Sequence, residues 1–255
     1  MIELIVLLLA VAPVVWLLRY VYKKDKYEKE PLGMLIKAFL LGILAIPLDI
    51  FLVGIINSLW QNQMVFYSAF WEAGIPEEFS KWLLFMLFIW RNRNFNEFFD
   101  GIVYATFISL GFACVENIMY VFGSETVFGA IGVGIMRALL SVPGHFLFAV
   151  LMGYYLGLAK FNPDKRGRYL FWSLAAPMLA HGLFDYIIML SESMNEYAPI
   201  LGTLLFVLFI YLDIRLWKMG LRRINDLQKK TKAQHINDTV EEIKNLESIF
   251  KSDNK

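Results

Sequence analysis

Apolar residues fall in long blocks along this chain rather than alternating with polar ones. Seven blocks stand at about 2–22, 34–57, 64–90, 99–122, 129–159, 169–190 and 198–217. Each approaches or exceeds the roughly 20 residues with which an α-helix crosses a hydrocarbon core. The period-two alternation of a membrane barrel is not seen. The pattern predicts an all-α polytopic integral membrane protein of about seven transmembrane helices. Prolines within the second and fifth blocks mark helix irregularity, because proline removes a backbone donor and kinks or breaks a helix. Pro47 lies in the second. Pro143-Gly144 interrupts the fifth, whose length of about 31 residues exceeds one crossing, so that block reads as a re-entrant or tilted piece up to Ser141 and a span from Pro143. Gly153-x-x-x-Gly157 in the same block offers a small-residue face for close helix packing.

Charge in the loops adds an orientation. Lys23, Lys24, Lys26 and Lys29 follow the first block, Arg91 and Arg93 the third, Lys160, Lys165, Arg166 and Arg168 the fifth, and Lys218, Arg222 and Arg223 the seventh. The intervening loops have no lysine or arginine and carry only Glu125, Glu192 and Glu196. By the positive-inside rule the N-terminus is outside and the C-terminal tail cytoplasmic. The first block lacks a basic leader, carries Glu3 and runs past Ala10 and Ala12 to Leu18, so it reads as a retained span rather than a signal peptide. The chain divides into a membrane-embedded domain, 1–219, and a polar tail, 220–255. The tail reads as a solvated, partly disordered end. Ile236, Val240, Ile243 and Phe250 recur there at helical spacing, enough for a short amphipathic helix, and His235 has no assigned role.

Composition narrows the class further. Of 255 residues, 58% are hydrophobic and only 18% charged, against about a quarter charged in soluble domains. The net charge of +1 identifies no partner, and basic residues gathered mostly in loops and tail give nucleic-acid binding no support. Cys114 is the single cysteine, which excludes an intramolecular disulfide and a zinc site built on cysteines.

The informative residues are ionisable ones inside the blocks, among them Asp49, Glu77, Glu78, Lys81, Glu116, Arg137, His145, His181 and Asp185. Such groups are expensive in lipid and need a partner or a function. Counted from the basic end of its own block, Glu77 lies about 14 residues from Arg91, Glu116 about 16 from Asp100, His145 about 15 from Lys160 and His181 about 13 from Arg168. At 1.5 Å per residue all four fall roughly 20–24 Å from that end, in one layer within the outer half of the membrane. Glu77 and Lys81 are spaced i,i+4, Glu78 and Lys81 i,i+3, and His181 and Asp185 i,i+4, so each pair shares a helix face. Adjacent residues point about 100° apart, so one of Glu77 and Glu78 is expected to face the cavity. A carboxylate in a low-dielectric pocket can act as a general base, and histidines can polarise a carbonyl, stabilise an oxyanion or bind a metal. Two histidines with one or two carboxylates also suit zinc with an open position for water. The set therefore fits a hydrolase with or without a metal. Asp49 and Arg137 read as structural, a helix-kink partner and a charge near the outer rim, and Asp100 as the N-cap of its helix.

The series Glu77-Glu78-x-x-Lys81, Asp100-Gly101-x-x-Tyr104, Glu116-Asn117-x-x-Tyr120, His145 and His181-x-x-x-Asp185 resembles the PrsW family of membrane-embedded proteases. That family is distantly similar to the type II CAAX prenyl proteases, and the resemblance spans roughly residues 1–217. It implies a bacterial cell-membrane peptidase making the first, extracytoplasmic-side cut in a single-pass transmembrane anti-sigma factor. The sigma factor is then released for an envelope-stress response. Carried over by position, Glu77, Glu78, Glu116, His145 and His181 would be catalytic, and Lys81, Asn117 and Asp185 supporting. A divalent ion such as zinc would take His145, His181 and Glu116, although the motifs leave a metal-free scheme equally open. Two other classes compete. Intramembrane Asp, Glu, Lys and His also build proton or ion relays in transporters, but no repeat relates the two halves of the chain. A non-catalytic binding module is the other; haem is not expected, and membrane lipids are the remaining partners.

Overall fold

The computed structural model describes the backbone of residues 2–253 and the side chains of residues 3–245. Among them there are helices and no strand: α1 (Ile2–Lys24), α2 (Leu32–Leu59), α3 (Val65–Tyr67), α4 (Ile75–Phe88), α5 (Asp100–Phe122), α6 (Val127–Met136), α7 (Val142–Phe161), α8 (Arg166–Tyr197) and α9 (Pro199–Asp253). Six helical runs are long and apolar enough to cross a membrane. The third apolar block is also helical, over 65–88, but it carries Glu72, Glu77, Glu78 and Lys81. This is a multi-pass membrane architecture.

Two π-turns join helical pieces into longer runs. One covers Ser68–Gly74 between α3 and α4, the other Arg137–Ser141 between α6 and α7. Each is followed at once by a helix with proline in its first turn, Pro76 in α4 and Pro143 in α7. A proline lacks the N–H that would close an α-turn and its ring clashes with the carbonyl four residues back, and a widened turn relieves both conflicts. The fifth block therefore forms one helical run over 127–161 instead of a re-entrant piece and a separate span. Pro47 lies inside α2 without ending it.

Helix α5 is the centre. It packs against α1, α2 and α7, while α7 packs in turn against α8 and α9. Most α5 residues from Asp100 to Ala113 are buried, as are nearly all α7 residues from Val142 to Ala159. Glycines permit the closest approaches. A Cβ on Gly153 would lie 2.3 Å from the Gly101 carbonyl oxygen. The Gly153-x-x-x-Gly157 face thus receives the start of α5 with backbone against backbone. Apolar side chains such as Leu40, Phe51, Leu204 and Val207 point outward, as expected of a surface solvated by lipid.

The basic loops share one end of the bundle. Lys160 Nζ donates to the Trp90 carbonyl at 2.7 Å, and Gln228 donates to the Lys24 carbonyl. The polar tail, expected to be partly disordered, continues α9 as helix. Its first half docks on this end: Ile224 and Leu227 are buried, Thr231 Oγ1 accepts from Phe99 N at 3.0 Å, and Gln234 Nε2 donates to the Asn96 carbonyl at 2.8 Å. Ile236, Val240 and Ile243 are exposed, and the Phe250 side chain lies outside the described residues. Asp100 is not an N-cap. It is the first residue of α5, and its Oδ2 accepts from the preceding Asn96 and Glu97 amides at 2.9 and 2.6 Å, bracing the loop before the helix.

Candidate active site

Four helices bring their ionisable residues together in the half of the bundle away from the basic loops. From α4 come Glu77, Glu78 and Lys81, from α5 Glu116 and Asn117, from α7 His145, and from α8 His181 and Asp185. A glycine contact sets the approach of α8. A Cβ on Gly74 would lie 2.7 Å from Gly182 N, so the turn before the Glu pair rests on the backbone beside His181.

Lys81 Nζ is the hub. It lies 3.0 Å from Glu77 Oε2, 2.7 Å from Glu78 Oε1 and 3.3 Å from His145 Nδ1, above the Phe112 ring at 4.1 Å. An ammonium has donors only, so His145 Nδ1 accepts and its Nε2 carries the hydrogen, donated to Glu116 Oε2 at 2.8 Å. His181 is oriented in the same way, but carboxylates face both of its nitrogens. Its Nδ1 lies 3.0 Å from Glu78 Oε1 and its Nε2 3.2 Å from Asp185 Oδ2, while Phe148 stacks on the ring at 4.6 Å. Both histidines turn Nδ1 inward and place Nε2 on a carboxylate behind them. Both glutamates of the pair face in, because Lys81, at i+4 from one and i+3 from the other, draws the two directions to one point.

Exposure is graded across the set. The Glu78 side chain is 0% exposed, Glu77 10%, Glu116 16% and Asp185 18%, so Glu77 is the more open member of the pair. Arg137, read from sequence as a rim charge, instead reaches Glu116 Oε2 at 2.8 Å and Asn117 Oδ1 at 2.6 Å. Asn117 also donates to the Ala10 carbonyl at 3.1 Å, tying α1 to the site. The only sign of Arg137 in the sequence was its place as the single cation of its apolar block. Phe112 and Phe148 gave none, since aromatic residues fill every block.

One ligand atom from each of Glu77, Glu78, His145 and His181 falls within 4.8 Å of the others, and all four residues are buried. Glu78 Oε2 is buried without a hydrogen-bond partner. Two imidazole nitrogens, each backed by a carboxylate on the opposite nitrogen, together with a bare carboxylate oxygen, match the donor set of a divalent metal site with its outer partners. Glu116 belongs to those outer partners; it stands behind His145, outside the convergent four. Lys81 already supplies one positive charge to the same pocket.

A family of proteins described as PrsW family intramembrane metalloproteases matches residues 30–212. Protease PrsW of Clostridioides difficile (strain 630) is 37% identical over 230 residues, which covers 88% of this chain and 92% of that protein. Protease PrsW of Geobacillus kaustophilus is 37% identical over 228 residues, 89% of this chain and 93% of its own length. The Bacillus subtilis (strain 168) protein of the same name is 36% identical over 228 residues, 89% and 94% of the two chains. No solved structure matches the chain.

Proposed function

The chain belongs to the PrsW family of intramembrane metalloproteases and is a multi-pass membrane peptidase, and from that premise we propose that it makes the first cut in a single-pass transmembrane anti-sigma factor in the bacterial plasma membrane. The observation that carries the catalytic part of this reading is the convergence of Glu77, Glu78, His145 and His181 within 4.8 Å. The segregation of basic loops at the opposite end supports a cut near the outer face.

In this proposal His145, His181 and Glu78 hold a divalent metal, zinc being the ion that best suits nitrogen and carboxylate donors. When bound, the ion supplies Lewis acidity toward the scissile carbonyl. Glu77 is the general base, because it is the more exposed member of the pair. Its carboxylate takes a proton from water as the water oxygen bonds to the peptide carbon. As the C–N bond breaks, Glu77 returns that proton to the departing nitrogen. Lys81 keeps two adjacent carboxylates compatible in a buried site. Glu116 and Asp185 hold the Nε2 hydrogens of the histidines, fixing both rings, and Phe112 and Phe148 close the back of the centre to water.

The test is co-expression with a tagged single-pass anti-sigma factor, followed by immunoblot. The wild type should give a truncated product that Glu77→Gln, His145→Ala and His181→Ala each abolish. A strong chelator should stop cleavage by the purified enzyme, and zinc should restore it. Cleavage that persists in Glu77→Gln would remove Glu77 as the base. Chelator-resistant cleavage would remove the metal.

A further inference from the structure

A second buried acidic group lies at the basic-loop end of the bundle, separated from the peptidase centre by the length of α5. Asp25 follows α1, Glu97 lies in the loop before α5, and Asp100 opens α5. One ligand atom from each falls within 4.8 Å of the others. The residues are 0%, 5% and 0% exposed. Each turns one oxygen to a contact already described or to a neighbour: Asp25 Oδ2 accepts from Glu30 N at 3.3 Å, Asp100 Oδ2 from the two loop amides, and Glu97 Oε1 lies 3.8 Å from His235 Nδ1. The other oxygen of each, Asp25 Oδ1, Glu97 Oε2 and Asp100 Oδ1, is buried with no hydrogen-bond partner.

Among the described residues no lysine or arginine is paired directly with their carboxylates. Lys29 donates its ammonium to the backbone carbonyls of Tyr22 and Asp25 instead of to a carboxylate. Glu30, buried beside them, accepts from the Tyr104 hydroxyl and adds a fourth carboxylate. A buried cluster of three or four carboxyl groups with bare oxygens must be neutralised, either by protons shared among them or by a bound cation.

We propose that Asp25, Glu97 and Asp100 bind a hard divalent cation, magnesium or calcium. Oxygen-only donors select these ions over zinc. A cleft of about 350 Å³ beside the cluster, lined by Glu28, Glu97, His235, Asp238 and Glu242, gives a route in from solvent whose acidic wall attracts cations. The ion would tie together the loop after α1, the loop before α5 and the start of α5. The cleft's other wall is α9, so the same ion would stiffen the seat of the tail helix.

The full chain, purified in detergent and stripped with EDTA, is titrated with magnesium or calcium chloride while thermal unfolding is followed. A saturable rise in Tm on the order of 5 °C is expected at about a hundredfold excess over Kd. The rise should persist in Glu78→Gln/His145→Ala, which dismantles the peptidase donor set, and should be lost in Asp25→Asn/Glu97→Gln. In parallel, Mn²⁺ binding is counted by electron paramagnetic resonance. The Glu78→Gln/His145→Ala protein should still bind one ion, and this readout does not depend on folding of the Asp25→Asn/Glu97→Gln protein. No saturable rise in the wild type, as expected if the carboxyls satisfy one another by sharing protons, would overturn the proposal. So would no Mn²⁺ bound in Glu78→Gln/His145→Ala, or a rise that survives Asp25→Asn/Glu97→Gln.

Discussion

Lys81 is the residue on which the buried centre balances. Its ammonium touches both glutamates and one histidine, and it is 0% exposed. Lys81→Met would leave the two carboxylates without their shared cation, at about 3–5 kcal/mol, read as a fall in Tm and in the yield of folded protein. Adding Glu77→Gln and Glu78→Gln to that variant should recover much of the loss, which separates uncompensated charge from lost packing. Glu77→Gln alone should keep the fold and lower turnover by about 10²–10⁴-fold, measured on a peptide spanning the cut. The layer of Glu77, Glu116, His145 and His181 was legible because helical rise is fixed and the basic loops supply a common origin for counting. What counting cannot supply is rotation. Arg137 sits inside a π-turn, which shifts the phase of everything before it, so its reach to Glu116 was invisible along the chain. The expectation that only one glutamate faces inward failed for a related reason. Rotational offset fixes where a Cα lies, whereas long side chains converge on a charge placed between them.

At the scale of elements, the approach of α8 to the turn before α4 decides whether His181 meets the Glu pair. Gly74→Ala would set a methyl 2.7 Å from Gly182 N and 2.9 Å from its Cα, where only a shift of one helix relieves the clash. A loss of roughly 1–3 kcal/mol is expected, with cleavage activity falling further than stability. Gly132→Ala, with nothing within 4 Å of the new carbon, should leave both unchanged. Thermal unfolding and the cleavage assay on the two variants give the comparison. Sequence exposed the helices through their apolar blocks, and it marked Pro143 as an irregularity. It did not reveal the widened turn before Pro76, because a π-turn and an α-turn draw on the same residues and differ only in which carbonyl each N–H reaches.

Over the whole molecule, the tail is part of the bundle. Ending the chain after Met219 removes the buried Ile224 and Leu227 and the Thr231 contact to Phe99. The two apolar side chains alone contribute roughly 3–6 kcal/mol, so the shortened protein should unfold at clearly lower temperature. The alternation of basic and neutral loops was readable in the sequence, and the structure gathers the basic ones at one end. The docking of the tail was not readable, since its buried residues are few and widely spaced among charges. Helix α5 spans the distance between the two acidic centres, with Asp100 at its first residue and Glu116 16 residues later, about 24 Å along the axis. It behaves as a shaft seated in a bearing at each end. A single residue inserted or deleted between the seats turns one end by about 100° and slides it by about 1.5 Å relative to the other, so the length of this segment is as fixed as its composition.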